Sequence, residues 1–481
     1  MIAYISTRGK APPVGFDQAV LQGFASDMGL FVPDTMPRFS GKTLYKLSGL
    51  TYPQLAFEIL SRFIDPAVIP HNDLKALIDR SFTSFTHPDV LGLYPMEQIP
   101  GTWILELFHG PSLSFKDIAM GFLIRVMDYL LVKKGKHLNI ILATTGDTGP
   151  AAAHASAGRK AIDCWPLYPG GMITREQEGQ MICLDASNIH PVRVRHCPDG
   201  GDDLDRIVAE LFADQNLVQK LSLSSVNSIN WCRVLCQTVH YFYSYFRVCR
   251  SVGDSVVFSV PTGAFGNLFA GYMARAMGLP VHQFICSVNA NQTLTTVFNT
   301  GLFKQWKLRQ TFSSAMDIVV PYNFWRFLYF ATGRDPDRIR NWMDQFQAMG
   351  QVQLPHDALS AITHGFRAVS VSDSDTLETI ARIHQTENRY LLDPHGAVAL
   401  AGALKLRAEI SSDMPVICMA TAHPAKFPHI IEKALGTPLP DSAFHPGLIS
   451  STRELPQAQE CDLSELKTFL IHAIEQRRCH G

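Results

Sequence analysis

Three times along its 481 residues the chain repeats one design, in which an apolar, β-branched run breaks into a short turn of small and hydroxylated residues and then into helical periodicity. The first instance runs from Leu138–Ala143 through Thr144-Thr145-Gly146-Asp147-Thr148-Gly149 into Ala151–Ala155. The second runs from Ser255–Val260 through Pro261-Thr262-Gly263-Ala264-Phe265-Gly266-Asn267 into Leu268–Ala274, and the third from Pro415–Met419 through Ala420–Lys426 into a helix from about Phe427. Strand, turn and helix in that order are units of a mostly parallel sheet, whose strands need helical crossovers. The chain is therefore expected to be α/β. Ahead of these units, residues 17–95 read as amphipathic helices punctuated at Val32-Pro33-Asp34, Met36-Pro37 and Tyr52-Pro53, with a helix ending near Phe82. The expected organisation is a mainly helical N-terminal domain over 1–95, an α/β catalytic unit over 96–445 with a smaller lobe at roughly 125–255, and a C-terminal extension over 446–481.

The turns carry chemistry because a helix amino terminus offers unpaired N–H groups and the positive end of its dipole, and glycine lets a ligand approach the backbone. Three such turns at strand carboxyl ends point to a ligand with more than one anionic group. Neither GxGxxG nor GxxxxGK[ST] is present, which argues against a dinucleotide or ATP site. Lys plus Arg number 42 against 43 Asp plus Glu, a net charge of −1, so there is no basic field for nucleic acid or an anionic membrane. The 46% hydrophobic content is enough for large cores, yet no run approaches the length of a spanning helix and the first residues lack signal-peptide order; a cytoplasmic protein is expected. Ten cysteines without CxxC pairs, and histidines (His109, His395, His423) scattered beside Gly or Pro, imply no metal site.

Lys116 is the residue in an unusual setting. It follows Phe108-His109-Gly110-Pro111-Ser112-Leu113-Ser114-Phe115, beside an aromatic ring and ahead of a strongly apolar helical pattern. Desolvation favours the neutral amine, and the neutral amine attacks aldehydes. Taken locally, a solvated lysine at a helix start remains the alternative.

The residues Tyr4–Gly9, Phe115-Lys116-Asp117, Thr145–Gly149, Asn227-Ser228-Ile229-Asn230-Trp231, Pro261-Thr262-Gly263, Ala315-Met316-Asp317, Asp393-Pro394-His395 and Thr421–Phe427 occur in one order across residues 2 to about 435. In them the chain resembles threonine synthases and the threonine-synthase-like proteins, pyridoxal-phosphate (PLP) enzymes of fold type II, the tryptophan-synthase-β-like group. The resemblance implies two mostly parallel-sheet lobes around the cofactor. It implies that Lys116 bonds the PLP aldehyde with Phe115 beside it, that Gly263, Ala264, Phe265, Gly266 and Asn267 cradle the cofactor phosphate, and that Thr421 faces the pyridine nitrogen. Asp147 is implied to border the ring, and with Thr144, Thr145, Gly146 and Thr148 to hold the substrate α-carboxylate; Asn227, Ser228, Asn230 and Arg233 are implied near the substrate phosphate. The reaction so implied is conversion of O-phospho-L-homoserine to L-threonine and phosphate, by a monomer or homodimer acting on a small amino acid.

The chain departs from the pattern at Thr145, where serine is usual, at Ala264, where asparagine is usual, at Gly170, where lysine is common, and at Pro150. Proline suits a first helical turn, and backbone N–H groups hold a phosphate without the asparagine. Three outcomes other than threonine are compatible with these departures: a phospho-lyase giving 2-oxobutyrate, ammonia and phosphate, an enzyme for another γ-substituted amino acid, and a non-catalytic nucleotide-binding relative.

Overall fold

In the computed structural model, which describes residues 2–439, 443–448 and 454–480, two sheets form the framework of the chain. The larger has six strands in the order Phe366–Ser370, Val281–Val288, Val256–Pro261, Val416–Ala420, Thr102–Glu106 and Gly92–Pro95, all parallel except the last, an antiparallel edge. The smaller is wholly parallel, ordered Gln459–Asp462, Val192–Arg195, Ile162–Pro169, Leu138–Ala143 and Leu223–Ser224. The Val256–Pro261 and Val416–Ala420 strands are buried at every position, as strands covered on both faces must be.

All three sequence units are present as strands, with helices at Thr148–Ser156, Gly266–Ala276 and, after a short 3₁₀ turn, Pro428–Leu435. The N-terminal segment contributes helices Phe16–Gln22, Gly41–Leu47, Tyr52–Leu60 and His71–Phe82 and an antiparallel strand pair, Tyr4–Ser6 with Phe31–Pro33. Its apolar residues share one core with the helices Lys116–Lys133 and Trp231–Val248. The aromatic run 239–246 lies in that second helix, which is buried from Trp231 to Tyr245. The C-terminal strand Gln459–Asp462 extends the smaller sheet, where Arg193 pairs with Glu460 and Arg195 with Asp462. Among the described residues no helix is long and apolar enough to cross a membrane, and no group of three or more His, Cys, Asp and Glu side chains is disposed to hold a metal ion.

Candidate active site

Lys116 is the first residue of the Lys116–Lys133 helix, and the loop before it is tied to the segment that follows Val416–Ala420. Phe115 N–H donates to Thr421 O at 2.8 Å, and Ser114 bridges Ala422. Asp117 folds the loop back by accepting from Ser112 N (2.9 Å) and Ser112 Oγ (2.7 Å), and burial pushes its carboxyl up to about 6 against those bonds. The Lys116 Nζ stands 4.7 Å from the Phe115 ring centroid and forms no hydrogen bond or ion pair among the described residues. Burial, reinforced by Arg233 and Lys426 and opposed by Asp147 and Asp117, brings its ammonium down to about 8. About a tenth of Lys116 is thus a neutral amine at pH 7, far more than for an ordinary lysine.

The turn after Leu138–Ala143 is shaped by Thr144, whose Oγ accepts from Gly146 N (3.2 Å) and Gly149 N (3.0 Å) and donates to Gly146 O. Its hydroxyl is therefore spent on the loop. Thr145 lies against Gly201, where an added Cβ would meet its methyl at 2.4 Å, while Thr148 starts the helix half-buried. Asp147, the N-cap residue, sits 2.6 Å from Lys426 Nζ and accepts from Gln177 Nε2 at 3.0 Å. Burial alone would raise this carboxyl, but Lys426, Lys116 and His395 hold it well below the usual carboxylate range.

At the Gly263–Asn267 turn the backbone does the work. Phe265 adopts φ 65° ahead of the Gly266–Ala276 helix, a conformation that costs a bulky residue about 1–3 kcal/mol. Its ring is held among Phe298, Phe324 and Phe327. Asn323 fastens the turn from outside, donating to Ala264 O and Ser228 O, both at 3.1 Å. A Cβ on Gly263 would lie 3.1 Å from Met316 Cα, so the 315–318 segment closes over the loop. The Asn267 side chain turns inward to His240 (2.9 Å) and Tyr241 (3.1 Å).

Of the residues before the Trp231–Val248 helix, Asn227 and Ser228 are half-buried. Asn230 spends both ends of its side chain on structure, capping Cys232 N (3.1 Å) and donating to Val20 O (2.8 Å). Arg233 differs. It is 2% exposed, and among the described residues its side chain bonds only Val226 O (3.0 Å), has no carboxylate partner and leaves its Nε without a hydrogen bond. A buried guanidinium in that state awaits an anion.

Sequence reasoning did not single out Lys426, Gln177 or Asn323. Gln177 carried a local signal as the fourth residue of a Thr174 capping box, but its reach to Asp147 is tertiary. His395, read as a turn histidine, bonds Asp393 Oδ1 (2.8 Å) and accepts from Ala315 N (3.2 Å), which fixes the segment over Gly263.

An amine with no hydrogen bond or ion pair among the described residues, a helix start approached by glycines, a buried guanidinium with no carboxylate partner among them and the buried Thr421 together fit a phosphorylated pyridine aldehyde. Comparison with known proteins agrees. Three family models match: the threonine synthase N terminus over residues 3–82, the pyridoxal-phosphate dependent enzymes over 93–422, and the threonine synthase C-terminal region over 396–469. A threonine synthase of Pseudomonas aeruginosa is 38% identical over 432 residues, 90% of each chain. A threonine synthase-like 2 protein of Pongo abelii is 39% identical over 440 residues, again 90% of each. The crystal structure of PLP-bound threonine synthase from Brucella melitensis superposes with a TM-score of 0.89 at 36% identity, covering 98% of this chain and 99% of that one.

Proposed function

Because the chain belongs to the threonine synthase family of fold type II, PLP-dependent enzymes, we propose that it converts O-phospho-L-homoserine to L-threonine and phosphate, with Lys116 as the lysine that bonds the cofactor. The observation that carries this reading is Arg233, a buried cation beside Lys116 with no carboxylate of its own. A guanidinium so placed recognises a phosphorylated substrate in preference to a neutral one.

Bound PLP supplies the electron sink for charge developing at the substrate Cα and Cβ. The Gly263–Asn267 backbone and the Gly266–Ala276 helix start would receive the cofactor phosphate, and the Thr421 hydroxyl would serve the pyridine nitrogen as a weakly basic partner. The N–H groups of the Thr145–Thr148 turn hold the substrate α-carboxylate, and Arg233 holds the phosphate carried on Cγ. Lys116 Nζ, near 8 in its free state, takes the proton from Cα and returns one there at the end, a task for which a group close to the working pH is suited. In the balanced reaction Cα and Cβ each lose a proton, phosphate leaves Cγ with the bonding pair and takes up one of these protons, and Cγ gains the other to become the methyl. Water then places its hydroxyl on Cβ and its hydrogen on Cα.

A second reading is favoured by the 39% identity to threonine synthase-like 2, which matches the 38% identity to the synthase to within one percentage point. In it the same site expels phosphate but releases the product before water adds at Cβ, giving 2-oxobutyrate and ammonia. NMR analysis of PLP-loaded protein with O-phospho-L-homoserine, with phosphate assayed alongside, separates the two. Threonine with phosphate supports the first and 2-oxobutyrate with ammonia the second; no phosphate release from loaded protein overturns both.

A further inference from the structure

Lys426 is fully buried, and its Nζ lies 2.6 Å from Asp147 Oδ1 while donating to Ser112 O at 2.7 Å. These groups belong to three segments. Lys426 follows the Val416–Ala420 strand of the six-stranded sheet, Ser112 stands in the loop leading to Lys116, and Asp147 opens the Thr148–Ser156 helix beside the five-stranded sheet. Gln177 holds the same carboxylate oxygen from the smaller lobe. One ion pair therefore ties both lobes together next to the reacting amine.

We propose that Lys426 is a positioning residue: its ammonium occupies the Asp147 carboxylate, denies Lys116 an ion-pair partner, and so keeps Lys116 available to bond the cofactor while the lobes stay joined across the site. The proposal rests on the reading of Lys116 as the PLP lysine.

The charged groups facing Lys116 are Asp147, Arg233, Lys426 and Asp117, and His395 faces Asp147 from the Pro394–Lys405 helix. Asp117 is engaged by Ser112, which leaves Asp147 as the carboxylate able to claim the Lys116 nitrogen. With Lys426 in place that claim is largely met. With the ammonium deleted, an uncompensated buried carboxylate strengthens its hold on the other cation that faces it, because an unpaired charge is poorly tolerated there. Lys116 is that cation.

The test is a pH titration of the visible absorbance of the PLP-loaded protein for wild type, Lys426→Met, Lys426→Arg, Asp147→Asn and the double variant K426M/D147N. The expected result is a midpoint raised by one pH unit or more in K426M, lowered in D147N, unmoved in K426R and returned close to wild type in the double variant. Midpoints that stay put, or that move in the same direction in both single variants, would overturn the role of Lys426. Were K426M too unstable to load, the downward shift in D147N and the preserved midpoint in K426R still decide the matter. Lys116→Ala separates the two levels of inference: a visible band retained in K116A sinks the assignment of Lys116, whereas a band lost there with unmoved midpoints elsewhere sinks only the proposal for Lys426.

Discussion

Replacing Arg233 by methionine should make the cofactor-free protein more stable and the loaded enzyme worse. Burial takes this guanidinium from the ordinary 12.5 to about 10 with no carboxylate to offset it. At 1.36 kcal/mol per pH unit that is about 3 kcal/mol of unrelieved desolvation. Methionine keeps the apolar stem, removes the charge and forfeits the single bond to Val226 O, which is worth about 1 kcal/mol. The balance is a gain of about 2 kcal/mol, read by denaturant or thermal unfolding of the cofactor-free protein. Against this, the substrate phosphate loses charge-assisted hydrogen bonds of about 1.5–3 kcal/mol, so kcat/KM for O-phospho-L-homoserine should fall roughly 100-fold, mostly through KM. An R233M protein that is less stable without ligand and unchanged in KM would refute the reasoning, since Arg233 would then be a structural residue with a satisfied environment.

Asn230→Ala should cost about 2 kcal/mol of stability, from a lost helix cap and an orphaned Val20 carbonyl, and leave KM within twofold; a large rise in KM with unchanged melting would instead favour the role that the family resemblance implies for it. Gly263→Val places a Cβ 3.1 Å from the Met316 backbone and should weaken PLP uptake about tenfold or more, measured by fluorescence titration with the far-UV spectrum unchanged. Asp163, which burial would raise but which His137 and His190 hold well below the usual range, contributes stability fully present above about pH 4 and lost only as pH falls through its depressed folded value, so Asp163→Asn should lower the melting temperature at pH 7 and by progressively less as the solution is made strongly acidic.

How much of this was legible beforehand follows from which contacts are local. The strand–turn–helix units and the apolar setting of Lys116 rest on patterns within about 20 residues, and each stands in the structure where the local pattern put it. The strand Gln459–Asp462 was not legible. It is four residues long, and its partner Val192–Arg195 lies more than 260 residues away, so nothing local marks it as the edge of the smaller sheet. The same limit applies to side chains in the turns. Thr144, Asn230 and Asn267 are polar residues at turns or helix starts, and sequence alone does not tell a ligand contact from a bond to the protein's own backbone; all three bond their surroundings. Phe265 is the converse case, a bulky side chain at positive φ, where pattern favours glycine and a distant aromatic cluster overrules it.

The site is also a balance of charge that local sequence conceals. Lys116, Lys426 and Arg233 come from segments more than 100 residues apart and converge on Asp147 and on Asp117, whose carboxyl is near 6. Three cations against two carboxylates leave an excess of one positive charge in an enclosed site, an arrangement that burial penalises until an anion arrives. Anion binding and stability are therefore linked. A ligand that binds only the folded protein adds about 2.7 kcal/mol at 100 times its dissociation constant, so PLP should raise the melting temperature, and inorganic phosphate should raise that of the wild type more than that of R233M. Equal stabilisation of both by phosphate would mean that the Gly263–Asn267 turn takes the anion alone and that Arg233 answers to something else.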